Sequence, residues 1–210
     1  MISKSDARKL IKELFSKANP TQHKFKSAFL GHSEATYKIA KETAVDLINH
    51  NPALGIDPDE VAISGYLHDI GRLLDVNQNF HEIRGALYIK DKGYELGIAV
   101  NKKELERLSQ MIISHFIVYE EFLDEDYPGR EEFSNIKASL LLPMSIEQQI
   151  IVYADLSNLE GREMDFRERL DHIENRQRNN PQFLHAFERG KPRIISVCMR
   201  VEQLRNLNKP

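Results

Sequence analysis

The most informative stretch of this 210-residue sequence reads Tyr66-Leu67-His68-Asp69-Ile70-Gly71-Arg72. It closes a predicted helix that begins at Asp57-Pro58-Asp59-Glu60, because aspartate caps helices and proline fits the first turn. The helix is otherwise apolar and is predicted to end near Gly71, which places His68 and Asp69 in apolar surroundings. Burying an unpaired carboxylate there would cost several kcal/mol. A metal ion is one good compensation, since imidazole and carboxylate suit Zn, Fe, Mn and Ni.

Four further polar residues have similar apolar settings. His32 precedes an apolar helical stripe, His81 stands at a predicted helix start, and His115 follows an apolar helical face. Asp155 follows Ile151-Val152. Each alone has an ordinary explanation, because a histidine on an apolar face is more often a hydrogen-bonded core residue than a ligand, and a lone aspartate is often an ion-pair partner. Together the six residues read H…HD…H…H…D over five predicted helices, and this order predicts that they converge on one metal site.

Helical periodicity runs through the whole sequence. No sustained alternation of apolar and polar residues is present, so we expect strands to be short pieces at most. Cap residues mark helix starts at Asn101, Ser145 and Asp165, and Pro192 is predicted to open the last helix. We therefore expect an all-α fold, a compact multi-helix bundle with the metal site at its centre.

The length of the chain is typical of one domain, and we expect a single domain over residues 1–210. Its motif-bearing core covers about residues 31–178. Terminal helices over residues 5–18 and 192–207 are expected to pack on that core. The least regular stretch, residues 124–144, is interpreted as an insertion or a lid between helices.

Composition narrows the class of protein further. Lys plus Arg number 29 and Asp plus Glu number 32, so the net charge of −3 argues against nucleic-acid binding through bulk positive charge. The longest purely apolar runs have a few residues, whereas a membrane span needs about 20, and the N-terminal stretch does not resemble a signal peptide. The single cysteine, Cys198, excludes an internal disulfide and is expected to pack rather than react. A cytoplasmic protein without membrane or nucleic-acid partners is the simplest expectation.

Over about residues 31–178 the chain resembles the HD superfamily of metal-dependent phosphohydrolases. The residues that carry the resemblance are His32, His68-Asp69-Ile70-Gly71, His81, His115 and Asp155. The tetrapeptide matches the HDIG form of the family signature, and the two additional histidines match the members that hold two metals. In this chain Arg72 follows the tetrapeptide where many members have lysine, and Ser114 precedes His115 where many have a second histidine.

The resemblance implies an enzyme that hydrolyses phosphate esters with one or two divalent transition metals, drawn from Fe, Mn, Zn, Ni and Co. The first metal would be held by His32, His68, Asp69 and Asp155. The bridge to a second metal would be Asp69, with His81 and His115 as further ligands. The nucleophile would be a water activated by the metal. The residues that the resemblance implies to be catalytic are His68, Asp69 and Arg72.

Substrate binding is expected to involve arginines near these ligands. Arg72 is a candidate phosphate clamp, Arg84 lies one turn beyond His81, and Arg162 follows the turn after Asp155. The expected substrate is a nucleotide or a related small phosphate ester, cleaved as a monoester or a diester. Within the resemblance, a dinucleoside-tetraphosphate hydrolase and a nucleotidase are the two alternatives, and a homodimer is compatible with both. Acidic segments such as Glu120-Glu121 are expected on solvated faces.

Two other functions are weighed against this enzyme. A regulatory module with the same fold would bind a metal or a nucleotide without turnover, and the intact set of six residues argues against it. An HD-type oxygenase also uses a pair of metals held by histidine and carboxylate ligands. Nothing in the sequence resembles the extra elements with which such an oxygenase binds its substrate.

Overall fold

The computed structural model describes residues 2–18, 23–95 and 101–206. The α-helices within these ranges are α1 Lys4–Lys17, α2 Lys26–His50, α3 Pro58–Leu67, α4 His81–Lys92, α5 Lys102–Ile112, α6 Val118–Leu123, α7 Ile146–Leu156, α8 Phe166–Arg176 and α9 Pro181–Asn206. Short 3-10 helices cover Pro52–Leu54, Ile70–Leu73, Arg130–Phe133 and Ala138–Leu141. The two-residue strands β1 Asn158–Leu159 and β2 Arg162–Glu163 pair antiparallel. The prediction of an all-α fold with only short strand pieces is confirmed.

Local sequence explains most of the helix starts. Asp57 accepts hydrogen bonds from two backbone N–H groups at the start of α3, and Asn101 accepts one at the start of α5. Ser145 forms a capping box at the start of α7, and Asp165 caps α8. These four predicted starts are confirmed, because a cap depends only on residues within one helical turn.

The expectation that Pro192 opens the last helix is wrong. Helix α9 begins at Pro181 and contains Pro192 in its interior. The buried residues of α9 continue at helical spacing on both sides of that proline: Ala186, Phe187, Gly190, Ile194, Cys198 and Val201. Pro192 lies on the exposed side, as does Glu188, whose carbonyl loses its helical partner. Packing of the continuous apolar stripe thus outweighs the cost of an interior proline, about 3 kcal/mol.

Helices α2 and α3 pack extensively on each other and on α7, and together they form the smaller of two hydrophobic clusters. Residues 124–144, interpreted from the sequence as an insertion or a lid, pack into the larger cluster through the buried side chains of Tyr127, Phe133 and Leu141. Phe80 meets Tyr127 and Phe133 edge-on, with ring centroids 5.4 and 5.6 Å apart. The segment is therefore anchored beside the start of α4. In the described part of the chain, no helix is both long enough and apolar enough to cross a bilayer.

Candidate metal centre

The structure brings together all six residues that the sequence predicted as metal ligands: His32, His68, Asp69, His81, His115 and Asp155. His32 Nε2 lies 3.0 Å from Asp155 Oδ1 and 3.2 Å from His68 Nε2. Asp69 Oδ1 lies 2.9 Å from His81 Nε2 and 3.6 Å from His115 Nε2. These side chains come from α2, the end of α3, the start of α4, the turn after α5 and the C-terminal part of α7. Asp69 therefore stands between the two halves of the cluster.

Each of the four imidazole rings is oriented by its second nitrogen. Nδ1 of His68, His81 and His115 donates to the backbone carbonyl three residues earlier, at 2.7, 3.1 and 2.7 Å respectively. Nδ1 of His32 donates to Asn158 Oδ1 at 2.7 Å. Because a carbonyl oxygen only accepts, Nδ1 carries the hydrogen and the lone pair stays on Nε2. When the rings are neutral, all four Nε2 atoms therefore present lone pairs to the cluster, as metal-binding histidines do.

The donor atoms of this cluster fit a metal ion. Asp69 Oδ1, His81 Nε2 and His115 Nε2 are buried without a hydrogen bond of acceptable geometry to any described residue. An unsatisfied buried polar atom costs about 1–3 kcal/mol, so three in one place need a compensating partner. Three groups of possible ligand atoms lie within 4.8 Å of one another, and the third adds Glu82 to the predicted residues: His32, His68 and Asp155; His68, Asp69 and His115; His81, Glu82 and His115. Neutral imidazole and carboxylate are ligands that first-row divalent metals accept.

Charge is unevenly distributed over the cluster when no metal is bound. Burial alone would raise the pKa of Asp69, but the Arg72 guanidinium and His68 hold it well below its usual value. Hydrogen bonds from His32 and His68 likewise outweigh burial and keep the pKa of Asp155 well below its usual value. The two carboxylates in turn outweigh burial at His68 and raise its pKa to about 9. Hence, without a metal, His68 Nε2 holds a proton at neutral pH.

His81 behaves in the opposite way. Burial, together with the nearby charge of Arg72, lowers the pKa of His81 to about 3. Its ring is therefore neutral across the physiological pH range, and its Nε2 is available to a metal without competition from a proton. His68 and His81 thus differ in how strongly protons compete with a metal for their Nε2 atoms.

The signature stretch leaves the helix earlier than predicted. Helix α3 ends at Leu67 rather than near Gly71, and the chain continues as the 3-10 helix Ile70–Leu73. Asp69, between these elements, has φ −93° and ψ 8°, outside the helical values. Despite this break, a ligand atom of His68 and one of Asp69 lie within 4.8 Å of each other.

Backbone strain is concentrated around the cluster. The described residues contain three non-glycine residues with positive φ, namely Phe80 at 55°, Phe116 at 56° and Glu160 at 51°. Phe80 precedes His81, and Phe116 follows His115. Such left-handed conformations cost about 1–2 kcal/mol each. Strain at positions next to ligands is typical of functional sites, where the surroundings hold a side chain in a required direction.

A cavity of about 570 Å³ opens onto the cluster. Its lining includes four of the six residues, His32, Asp69, His81 and Asp155. Aromatic rings of Phe15, Phe25, Phe29, Phe116 and Phe183 also line it. Three arginines complete the wall: Arg72, Arg169 and Arg176. A second, more open groove of about 980 Å³ next to Lys4 and Lys41 contains none of the six residues.

The structure places one of the three predicted substrate arginines at the cavity. Arg72 lines it, and its Nε lies 2.8 Å from Asp69 Oδ1. Arg84 does not line this cavity, because its guanidinium donates to the carbonyl of Asn77 and pairs with Glu132. Arg162 lies exposed on β2 and is also absent from the lining. The expectation for Arg84 and Arg162 is therefore not supported by their positions.

Two glutamates of the cavity were not expected there. Glu82 and Glu121 are buried and line it, so the expectation of a solvated face at Glu120-Glu121 is wrong. Burial raises the pKa of Glu121 to about 7, even though Tyr127 Oη donates a 2.6 Å hydrogen bond to its Oε1. Burial and the neighbouring Glu121 raise the pKa of Glu82 well above its usual value. Helix α6, which carries Glu121, is six residues long and too short to reveal its buried face by periodicity.

Other contributors to the site were also missed. Asn158 is fully buried and orients His32. Its Nδ2 donates to Thr36 Oγ1 and to the carbonyl of Ala154, both at 3.0 Å, which fixes the direction of the amide. The sequence signal that could have found Asn158 is its position four residues after Ala154, just beyond the end of an apolar helix. For Arg169 and Arg176 the available signal was their seven-residue spacing on one helix face.

Comparison with known proteins gives one match. The family model described as HD domain matches residues 29–158 of this chain, a range that contains all six clustered residues. No curated protein and no solved structure matches the chain at a significant level.

Proposed function

The chain belongs to the HD domain family, and on that premise we propose that it is a metal-dependent phosphohydrolase acting on a nucleotide or a related small phosphate ester. The observation that carries the proposal is the common direction of four imidazole Nε2 atoms and two carboxylates. They meet beneath a cavity, and three of their atoms form no hydrogen bond of acceptable geometry with a described residue. A structural role for the histidines would not need every Nε2 to face the same point.

The ligands divide into two sets that share Asp69. One ion would be held by His32, His68, Asp69 and Asp155. A second ion would be held by Asp69, His81 and His115. The donor set suits Fe, Mn, Zn, Ni or Co. When bound, such ions supply Lewis acidity and a water of lowered pKa that serves as the nucleophile.

The chain's own side chains bind and orient the substrate. Arg72 is 38% exposed and lies 2.8 Å from Asp69, so its guanidinium reaches both the cluster and the cavity. There it can donate charge-assisted hydrogen bonds to a phosphate oxygen. The rings of Phe29 and Phe116 offer flat apolar surface to a nucleobase. The volume of about 570 Å³ lies within the range of small-molecule sites.

The test combines metal analysis with a hydrolysis assay on a panel of nucleotides and phosphate esters. The wild-type protein should contain a divalent metal and release product from at least one compound. Asp69→Ala should lose metal and activity, because it removes the ligand shared by both sets. Asp171→Ala is the matched control, since the Asp171 side chain is 71% exposed on α8 and is absent from the cavity lining.

Two outcomes would contradict the proposal. An Asp69→Ala protein with full metal content and activity would remove the mechanism. A metal-loaded wild-type protein that binds nucleotides but hydrolyses none of the panel would favour the regulatory module instead.

A further inference from the structure

Helix α8 directs two arginines into the cavity, beyond the metal ligands. Arg169 and Arg176 are seven residues apart, which is two helical turns or roughly 10 Å along the axis. Ile173 lies between them on the same face, and all three line the cavity. One face of α8 therefore forms a wall with a cation at either end.

Neither of these arginines forms an ion pair with a carboxylate in the described ranges, although the charges of Asp69 and Glu160 act on Arg176. By contrast, Arg167 on the same helix pairs with Asp165 and Glu202, and Arg193 pairs with Glu120. The Nε of Arg169 is buried without a hydrogen-bond partner, and its Nη1 lies 3.4 Å from His172 Nδ1. Buried N–H groups without an acceptor are rare in folded proteins. Arg169 therefore lines the cavity with an Nε donor that has no acceptor among the described residues.

The positive charges of the cavity wall repel one another. Burial and the guanidiniums of Arg169 and Arg72 lower the pKa of Arg176. Arg72 is compensated by Asp69 at 2.8 Å, whereas Glu160, which also lines the cavity, forms no ion pair with either arginine of α8. An anion against α8 would relieve this repulsion and supply the missing acceptor.

The cavity also has an apolar mouth. Phe25 is 63% exposed and Val76 is 71% exposed, and both line it. Large apolar side chains exposed at a cavity indicate a ligand with an apolar or aromatic portion. A ligand that fits every wall therefore has an anionic group at the cluster, a second anionic group at α8 and a ring system.

We propose that Arg169 and Arg176 form a second anion subsite, so that the preferred substrate is a nucleoside carrying at least two phosphate groups. One phosphate lies at the metal cluster with Arg72, and another lies against α8. A nucleoside monophosphate would leave the α8 subsite empty. The identity of the reacting phosphate rests on the function proposed above, whereas the anion subsite itself does not.

The test compares adenosine diphosphate with adenosine monophosphate as probes on the metal-loaded protein. In Arg169→Gln and in Arg176→Gln, the ratio of kcat/KM for the diphosphate to that for the monophosphate should fall about tenfold or more, because one charge-assisted contact is lost. Arg178→Gln is the matched control: it removes the same charge from an exposed position outside the cavity lining and should leave the ratio unchanged. Thermal melting verifies that each variant is folded.

Several outcomes would overturn the subsite. These are an unchanged ratio in both variants, an equal loss for both nucleotides, or the same fall in Arg178→Gln. If the wild-type protein hydrolyses neither nucleotide, the proposed function fails for these substrates, and calorimetric binding of adenosine diphosphate decides the subsite separately. An affinity at least tenfold weaker in Arg176→Gln than in the wild type supports it, whereas equal affinity or no binding to the wild type overturns it.

Discussion

Gly71 and His81 are in direct backbone contact. A Cβ atom on Gly71 would lie 2.7 Å from the carbonyl carbon of His81, closer than real Cβ contacts allow. The same atom would be 2.8 Å from the amide nitrogen of Gly85, one turn further along α4. The glycine of the HDIG tetrapeptide therefore sets the distance between Asp69 and the start of α4, and with it the spacing of Asp69 and His81.

Gly71→Ala should separate α4 from the signature stretch. We expect the free energy of unfolding to fall by about 1–3 kcal/mol, the usual cost of overpacking. Metal content should fall as well, because His81 moves away from Asp69. Gly31→Ala is the control, since its Cβ would meet a single backbone oxygen at 3.3 Å and would gain helix propensity. Denaturant unfolding and metal analysis are the measurements, and a Gly71→Ala protein with unchanged stability and metal content would contradict the argument.

Asn158→Ala should weaken metal binding without removing a ligand. The substitution frees His32 Nδ1 from its 2.7 Å hydrogen bond, so the ring is no longer held with Nε2 toward Asp155. Loss of such an orienting partner typically costs 10–100-fold in metal affinity. Competition with a chromophoric chelator measures the change. Asn51→Ala, which removes an exposed capping amide outside the cavity lining, should bind metal as the wild type does.

In the metal-free protein, the titration of His68 and His81 should make the free energy of unfolding largest near pH 6.5. The pKa of His68 is raised from 6.5 to about 9, so above pH 6.5 the folded chain holds a proton that the unfolded chain has lost. Stability therefore falls as the pH rises toward 9. The pKa of His81 is lowered to about 3, so below pH 6.5 the unfolded chain gains the extra proton and stability falls again. Each slope approaches about 1.4 kcal/mol per pH unit.

Urea unfolding in excess chelator between pH 5 and 9, about the range in which histidine titrates, measures this profile. In excess metal the decline above pH 6.5 should disappear, because the metal displaces the proton of His68. A flat profile without metal, or the same decline in both conditions, would show that His68 does not carry the proton.

Arg193→Met should destabilise the fold strongly. Arg193 Nε and Nη2 donate to the two carboxylate oxygens of Glu120 at 2.8 and 2.7 Å, and Nη2 also donates to the carbonyl of Phe116. Removing the arginine leaves Glu120, whose side chain is 7% exposed, buried without a counter-charge, which costs about 3–5 kcal/mol. Adding Glu120→Leu should recover much of that loss. The control is Arg167→Met, which breaks exposed ion pairs and should cost less than about 1 kcal/mol. Thermal unfolding measures both single variants, and an equal loss of stability in the two would contradict the difference between buried and exposed pairs.

The parts of the fold that were predictable depend on short-range chemistry. The caps at Asp57 and Ser145 involve residues within one turn, and the six clustered residues each interrupt an apolar pattern, which marks them without knowledge of the fold. The HDIG tetrapeptide added the family and hence the expected pairing of ligands. The caps and the interrupted apolar patterns can be found from sequence spacing alone, whereas the family and the pairing of ligands come from the resemblance.

The parts that were not predictable depend on contacts between distant residues. Arg84 has the right spacing from His81, but Glu132, 48 residues later, holds its guanidinium elsewhere. Glu120 is buried because Arg193, 73 residues later, neutralises it. Which arginine of α8 enters the cavity depends on the rotation of that helix about its axis. No pattern of neighbouring residues in the sequence predicts these contacts between distant segments.

The hydrogen bond between His32 and Asn158 joins residues 126 positions apart, and this separation has a consequence for biosynthesis. At a translation rate of about 5–20 residues per second, roughly 6–25 s pass between the synthesis of the two residues. During that interval the nascent chain exposes His32, His68 and Asp69 without Asp155. The first half of the chain thus offers a loose, incomplete set of ligands while it is still attached to the ribosome. A metal ion that needs the complete set of ligands would therefore bind only after α7 has docked.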